Sequence, residues 1–274
     1  MKTLSRVFMI LVFGILYIPM LVLVLYSFNA SKSTGVFTGF SLRWYTELFS
    51  SAETFTALRN TLILALCSSV IATVIGTMAA VGINKMKNKY LKTSVMSATN
   101  IPMMNPDIVT GISMMLLFVF VGTFLGLTEY LSFWTMLIAH VTFNLPYVIL
   151  SVLPKLRQMD KHLPEAALDL GCTPLQAFFK VEIHAILPGI ITGMMMAFTL
   201  SLDDFVISFF TSGSDFVTLP LLIYSMTKRE VTPDMYALST LVMVAILVLM
   251  LLTNLRGEKH EEKSKKSKKA KENA

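Results

Sequence analysis

PKLRQMDKHLPEAALDLGCTPLQAFFKVEIH, residues 154–184, lies between two apolar runs and carries folding signals of its own. Pro164 suits the first turn of a short helix, Glu165 complements that helix's positive end, and Gly171 supplies a left-handed stop. Thr173 then caps a second helix whose first residue is Pro174, and Gln176 closes a T-x-x-Q capping box ahead of AFFKVEI. Helix, glycine turn, helix is more organisation than a tether between membrane spans requires. The short helix offers Ala166, Ala167 and Leu170, with Leu163 at its mouth, a face too shallow to form its own core. Such a face either docks as a helix in a groove or folds back on the chain's own helix ends.

The surroundings of this segment are lipid-soluble. The chain is 54% hydrophobic and 15% charged, whereas soluble domains carry about 25% charged residues. Six apolar runs, at 7–28, 61–83, 93–121, 131–153, 185–210 and 235–255, come near or above the roughly 20 residues a helix needs to cross a bilayer. An all-α membrane protein with six transmembrane helices is predicted. The transmembrane body covers 1–255, and the basic tail 256–274 is expected to be disordered and solvated. The first run has the basic flank of a signal peptide, but its core is longer than a signal core and no small-x-small cleavage site follows, so retention is expected.

Lys2, Arg6, the cluster Lys85, Lys87, Lys89 and Lys92, then Lys155, Arg157, Lys161 and Lys180, and the tail all fall on one side if six helices alternate. The positive-inside rule puts that side, with both termini, in the cytoplasm. On the other side, FSLRWYTELF reads as an amphipathic interfacial helix. Cys67 and Cys172 form neither a disulfide framework nor a metal-ligand spacing.

Three features break the apolar pattern. In AFTLSLDDFVISFF, residues 197–210, Asp203 and Asp204 stand together inside the fifth run. One aspartate at the centre of a membrane helix costs about 2.5–3.5 kcal/mol, so the pair needs a partner, water or a passing ligand. On one helix they would be about 100° apart, so only one could face a pore axis. In IPMMNPDIVTG, Pro102 and Pro106 kink the third helix near Asp107 and leave backbone acceptors unpaired, tolerated at depth only beside protein or a polar path. On the fourth helix His140, Asn144, Tyr147 and Ser151 share one face. Asp107, Asp203, Asp204, His140, Asn144 and Tyr147 are therefore candidates for an acidic lining that attracts a cation. The alternative for the acids is a cap, another helix or a second subunit, and for His140 and Asn144 it is hydrogen bonding between helices. The small residues Ala72, Gly76 and Ala80, and Gly189, Gly193 and Ala197, permit close helix packing.

No catalytic motif accompanies these residues. G-x-x-x-x-G-K-[ST], H-E-x-x-H and G-x-S-x-G are absent, so any ATP hydrolysis belongs to another polypeptide. No catalytic residue, metal or cofactor is expected on this chain, and no nucleic-acid partner. An intramembrane hydrolase using paired aspartates and a self-sufficient ion-coupled carrier remain as alternatives.

EAALDLGCTPLQAFFKVEIHAILP resembles the EAA loop of permease subunits in binding-protein-dependent ABC importers. Glu165, Ala166, Ala167 and Gly171 occupy the motif positions, with Leu170 beside them. Val181, Glu182, Ile183 and His184 replace the usual I-x-L-P ending, and Pro188 follows. NPDIVTGIS, AFTLSLDDFVIS and TLPLLIYSMTKREVTPDMYALST are similar to the spermidine/putrescine branch of that family. The resemblance implies a six-helix type I importer permease fold with a cytoplasmic coupling helix within 154–184, in a bacterial cell membrane. It also implies a second homologous permease subunit, two cytoplasmic ATPase subunits holding ATP and Mg, and an extracytoplasmic polyamine-binding receptor. The same architecture with an amino acid or metal chelate as cargo is the nearest alternative.

Overall fold

The computed structural model describes residues 2–31, 36–160, 162–228 and 234–248. The tail 256–274, expected to be disordered, lies outside them. The chain divides into two compact units, residues 56–221, and residues 1–55 with 222–274.

In the second of these, α1 (Lys2–Ser27) is a continuous apolar helix. Beyond it α2 (Arg43–Ser50) is the short amphipathic helix that FSLRWYTELF predicts. Its Trp44 indole N–H donates to the Asn29 carbonyl at 2.6 Å, and the Tyr45 and Ser27 hydroxyls lie 2.8 Å apart. Helix α12 (Asp234–Val248) covers the described part of the sixth run.

Residues 56–221 contain α3 (Ala52–Lys85) from Thr56 onward, α4 (Lys89–Met104), α5 (Asp107–Phe124) and α6 (Phe133–Gln158). A hairpin follows, α7 (His162–Asp169) and α8 (Pro174–Ala177), then a π-helical turn at Phe178–Glu182 that runs without interruption into α9 (Ile183–Asp203). After a break come α10 (Val206–Thr211) and α11 (Leu219–Thr227), the latter continuing past residue 221. Among the described residues, five helices are long and apolar enough to cross a membrane, α1, α3, α5, α6 and the α8–α9 run.

The third run departs from the expected kinked single helix. Asn105 is extended and Pro106 leads directly into α5, so 93–121 is two helices. Pro106 has no amide to continue α4, while its carbonyl accepts from Val109 and Thr110 to start the next helix. The fifth run departs likewise, because α9 ends at Asp203 and Asp204 adopts an extended conformation.

Helix α6 is the centre of this unit. Leu64, Met136, Val148, Val152, Ile186 and Ala197 pack there with negligible exposure. Glycines set the approach on both sides of α6. A Cβ at Gly76 on α3 would stand 2.7 Å from the Val148 side chain, and one at Gly189 on α9 would stand 2.9 Å from the Ser151 carbonyl oxygen. The stripes of small residues thus bring helix backbones together, as their spacing predicts.

Gly76→Leu is expected to force this seam apart at a cost on the order of 1–3 kcal/mol, the range of overpacked cores. Gly82 on the same helix faces open space; Gly82→Ala serves as the control and should be neutral or mildly stabilising. Thermal unfolding of the two variants in detergent checks the difference.

Candidate functional site

The break at Asp204 is stabilised from within. Its carboxylate accepts from the Ser208 amide at 2.8 Å and the Ile207 amide at 3.3 Å, capping the positive end of α10. The same side chain, 9% exposed, lies 3.5 Å from Nε2 of His140. Asp204 is therefore surrounded by donors, which is what a carboxylate at depth requires.

His140, 1% exposed, reaches across two helices. Nδ1 lies 2.7 Å from the Ser201 hydroxyl on α9, and Nε2 lies 3.0 Å from the Ser208 hydroxyl on α10. Ser68 of α3 extends the row by donating to Ser201 at 2.9 Å. Four helices thus meet in one buried hydrogen-bonded group. A hydroxyl, an imidazole and a carboxylate in sequence are the groups of acyl-transfer chemistry. Here both hydroxyls beside the imidazole are enclosed, and Ser201 is occupied by Ser68, so no scissile bond can approach. The arrangement holds helices together. Asn144, one turn further along α6, is fully buried with neither amide atom hydrogen-bonded, a state that costs about 1–3 kcal/mol.

Asp203 and Asp107 are placed differently. Both are exposed on the isolated chain, Asp203 as the last residue of α9 and Asp107 as the first of α5. Asp107 lies close enough to Tyr147 for its charge to act on that hydroxyl. Tyr147 is half-buried, with its ring 5.5 Å from that of Phe143. The α6 face thus meets Asp204 at His140 and feels the charge of Asp107 at Tyr147, seven positions or about 10 Å further along the helix. Asp203 and Asp204 do not face each other, one turning outward and the other inward to the α10 amides. A hydrolase built on a pair of aspartates sharing a proton has no counterpart here. Among the described residues, no group of three His, Cys, Asp or Glu side chains could hold a metal ion.

The α7–α8 hairpin follows its capping signals atom by atom. Gly171 has φ +86°, and the amides of Gly171 and Cys172 return to the carbonyls of Leu168 and Ala167 at 2.9 and 3.0 Å. This is the Schellman stop of α7. Thr173 and Gln176 exchange the two bonds of the capping box. The shallow face folds back on the chain at Ala167 and leaves its other side chains uncovered. Ala167 is buried against its own hairpin, while Glu165, Ala166 and Leu170 face outward, Leu170 at 86% exposure. Leu163, Leu175 and Phe179 are exposed beside it.

Sequence reasoning missed Ser68, Ser201 and Ser208. The latter two flank the acidic pair at short range, a signal that polar residues cluster there. Nothing in the local sequence points to Ser68, whose partner is 133 positions away.

Several apolar crossings joined by a capped hairpin and tied by buried polar groups define a multi-pass membrane protein. The chain belongs to the family described as the binding-protein-dependent transport system inner membrane component, whose model matches residues 72–257. It is 40% identical over 240 residues to the putrescine transport system permease protein PotI of Escherichia coli (strain K12), covering 88% of this chain and 85% of that protein. It is 37% identical over 250 residues to the spermidine/putrescine transport system permease protein PotC of Haemophilus influenzae, covering 91% and 95%. The fold is that of type I ABC importer permeases. It resembles a bacterial ABC transporter involved in the import of the acidic polysaccharide alginate with a TM-score of 0.73 at 15% identity, covering 94% of this chain and 95% of the other.

Ser201→Ala and Ser208→Ala should each lower stability by about 1–2 kcal/mol, because each strips a buried bond from one nitrogen of His140. The double variant should cost measurably less or more than the sum, since both hydroxyls act through one ring. Unfolding midpoints of the three variants in detergent test the coupling.

Proposed function

We propose that this chain forms half of the translocation pathway of an ATP-driven polyamine importer, with spermidine or putrescine as cargo. The observation that carries this reading is the position of Asp107 and Asp203, two carboxylates left exposed on otherwise apolar membrane helices. Bare carboxylates facing acyl chains would be costly, so a polar surface covers them in the assembled protein. A second, homologous permease subunit meets that need and closes the pathway between the two. Polyamines are flexible polycations with apolar spacers, and separated carboxylates with Tyr147 and Phe143 between them suit such a molecule. The substrates in the names of PotI and PotC support the same cargo.

Asp203 and Asp107 are the cargo-facing acids in this reading, with Tyr147 as part of the wall. Asp204 and His140 keep the break in shape, and Asn144 is a strained polar group that a second arrangement of the helices would relieve. The exposed side of α7, with Glu165, Ala166, Leu170 and the turn at Gly171, docks into one of two cytoplasmic ATPase subunits that carry the ATP and Mg. Large exposed apolar side chains on the hairpin and the turn after it support that docking, since Leu170, Leu175 and Phe179 are each uncovered and suit burial by a partner. An extracytoplasmic receptor delivers polyamine on the opposite face. The lysine distribution supports a cytoplasmic location for both termini.

Reconstitution with its two ATPases, its partner permease and its receptor, followed by uptake of labelled putrescine, spermidine, amino acids and metal chelates, tests the reading. Receptor-dependent uptake of polyamine alone is expected. Asp107→Asn and Asp203→Asn should each lower it roughly tenfold, the effect of losing about 1.4 kcal/mol of interaction. Unchanged polyamine uptake in the doubly neutralised protein would remove both acids from the pathway.

A further inference from the structure

One buried charge lies away from the His140 group. Glu182 sits at the end of the π-helical turn with a side chain 6% exposed, and its carboxylate lies 3.3 Å from Nζ of Lys85, whose side chain is 61% exposed. Lys85 is the last residue of α3, and its ammonium also stands 5.9 Å from the Phe178 ring centroid at the start of the same turn. The pair therefore joins the inner end of α3 to the segment where the chain passes from the cytoplasmic hairpin into the membrane. Glu182 occupies the variable position of V-E-I-H, the stretch in which this sequence leaves the usual loop ending.

The hairpin is built to move as one piece. The Schellman stop and the capping box fix the α7–α8 corner, and Ala167 and Ala177 bury themselves within it. The same bonds connect α7 to the π turn through a short, fully capped corner. The turn itself is a weak point in the helix, because the Ile183 amide returns to Phe178 rather than to Phe179. Turns of this type recur at functional positions. At the far side α3 carries Ser68, which is tied to Ser201 and through it to His140. A buried carboxylate that loses its only counter-charge is penalised strongly, whereas an exposed lysine released from it is readily solvated. Such a contact is two-state in character, and its making or breaking biases one conformation over another.

We infer that the Lys85–Glu182 ion pair is the joint through which movement of the cytoplasmic hairpin is passed to α3 and from there to the buried ties beside the cargo-facing acids. The inference rests on the reading of α7 as the ATPase-docking helix. Lys85 and Glu182 are positioning residues; neither touches cargo or nucleotide.

The test uses the full reconstituted complex and reads two rates together, receptor-stimulated ATP hydrolysis and polyamine uptake. Lys85→Met and Glu182→Gln are expected to keep the stimulated hydrolysis while uptake per ATP falls at least about fivefold, the lower end of measured coupling between sites. Lys85→Arg should stay close to the parent protein, and the exchange Lys85→Glu with Glu182→Lys should recover part of the loss. Uptake per ATP equal to that of the parent in both single variants would overturn the inference, as would reduced complex yield with a normal ratio, which is the outcome of a purely structural staple. Lys85 is mostly exposed, so Lys85→Met provides the reading if Glu182→Gln fails to assemble. Leu170→Arg separates the two levels. It should abolish ATPase association, and if the ATPases remain bound and stimulated, the docking reading fails whatever the joint does.

Discussion

A membrane interior offers no water to satisfy polar groups, so every one that is buried there must find its partner within the protein. In this chain the imidazole of His140 meets that constraint for four helices at once. Its two nitrogens face in opposite directions, and each is met by a serine hydroxyl, one on α9 and one on α10. Dispersion between apolar helices and lipid differs little, so close backbone packing and polar ties decide which helices associate. The glycine contacts at Gly76, Gly189 and Gly193 supply the first, and the His140 group supplies the second. Sliding α9 by one turn would part Ser201 from both His140 and Ser68 and would drive Gly189 off the Ser151 carbonyl.

The same constraint explains how the chain can afford two breaks in helices that cross the membrane. At 204 the freed amides of α10 are bonded by the Asp204 carboxylate, so charge and backbone satisfy each other. At 105–106 the missing donor is proline's own, and the Pro106 carbonyl at once receives the amides of Val109 and Thr110. Each break leaves one acid at a helix terminus and facing outward, Asp203 at the end of α9 and Asp107 at the start of α5. The favourable field of a helix start applies to Asp107, whereas Asp203 stands at a C-terminus, the unfavourable end for a negative charge. The helix termini therefore favour the charge on Asp107 and disfavour that on Asp203.

The spans and the hairpin were legible because their signals are local. Pro164, Gly171, Thr173 and Gln176 act on backbone groups within a few residues, and each does in the structure what its position predicts. The breaks were less legible. Pro106 announces a disturbance, but whether a proline kinks a helix or separates two depends on whether the surroundings satisfy the freed carbonyls. Nothing of that kind announces the stop at Asp204, which has no glycine or proline beside it. Hydropathy runs straight through LSLDDFVIS, and only the fit of Asp204 between His140 and the α10 amides ends the helix there. The His140 stripe was visible, but its partners lie 61 and 68 positions away, and the choice between lining a pathway and tying helices is made by those partners. The division of α7 into a buried Ala167 and an outward Leu170 was likewise open until the corner geometry fixed the rotation of the helix.

The π turn and α9 make one continuous rod with the short α8, from Pro174 to Asp203, about 45 Å long at helical rise. Its regular ladder is weakened at two places, the π turn and Pro188, which offers no amide to the carbonyl of His184. Directly after Pro188, Gly189 is pressed against the Ser151 carbonyl and Lys155 of α6, so the second weak point is held close to its neighbour. Gly193 follows one turn on against Val148 and Ser151, and Ser201 near the far end is tied to His140 and Ser68. The membrane part of the rod is therefore held along its length rather than at one point, and a shift of it would have to break close packing and buried hydrogen bonds together.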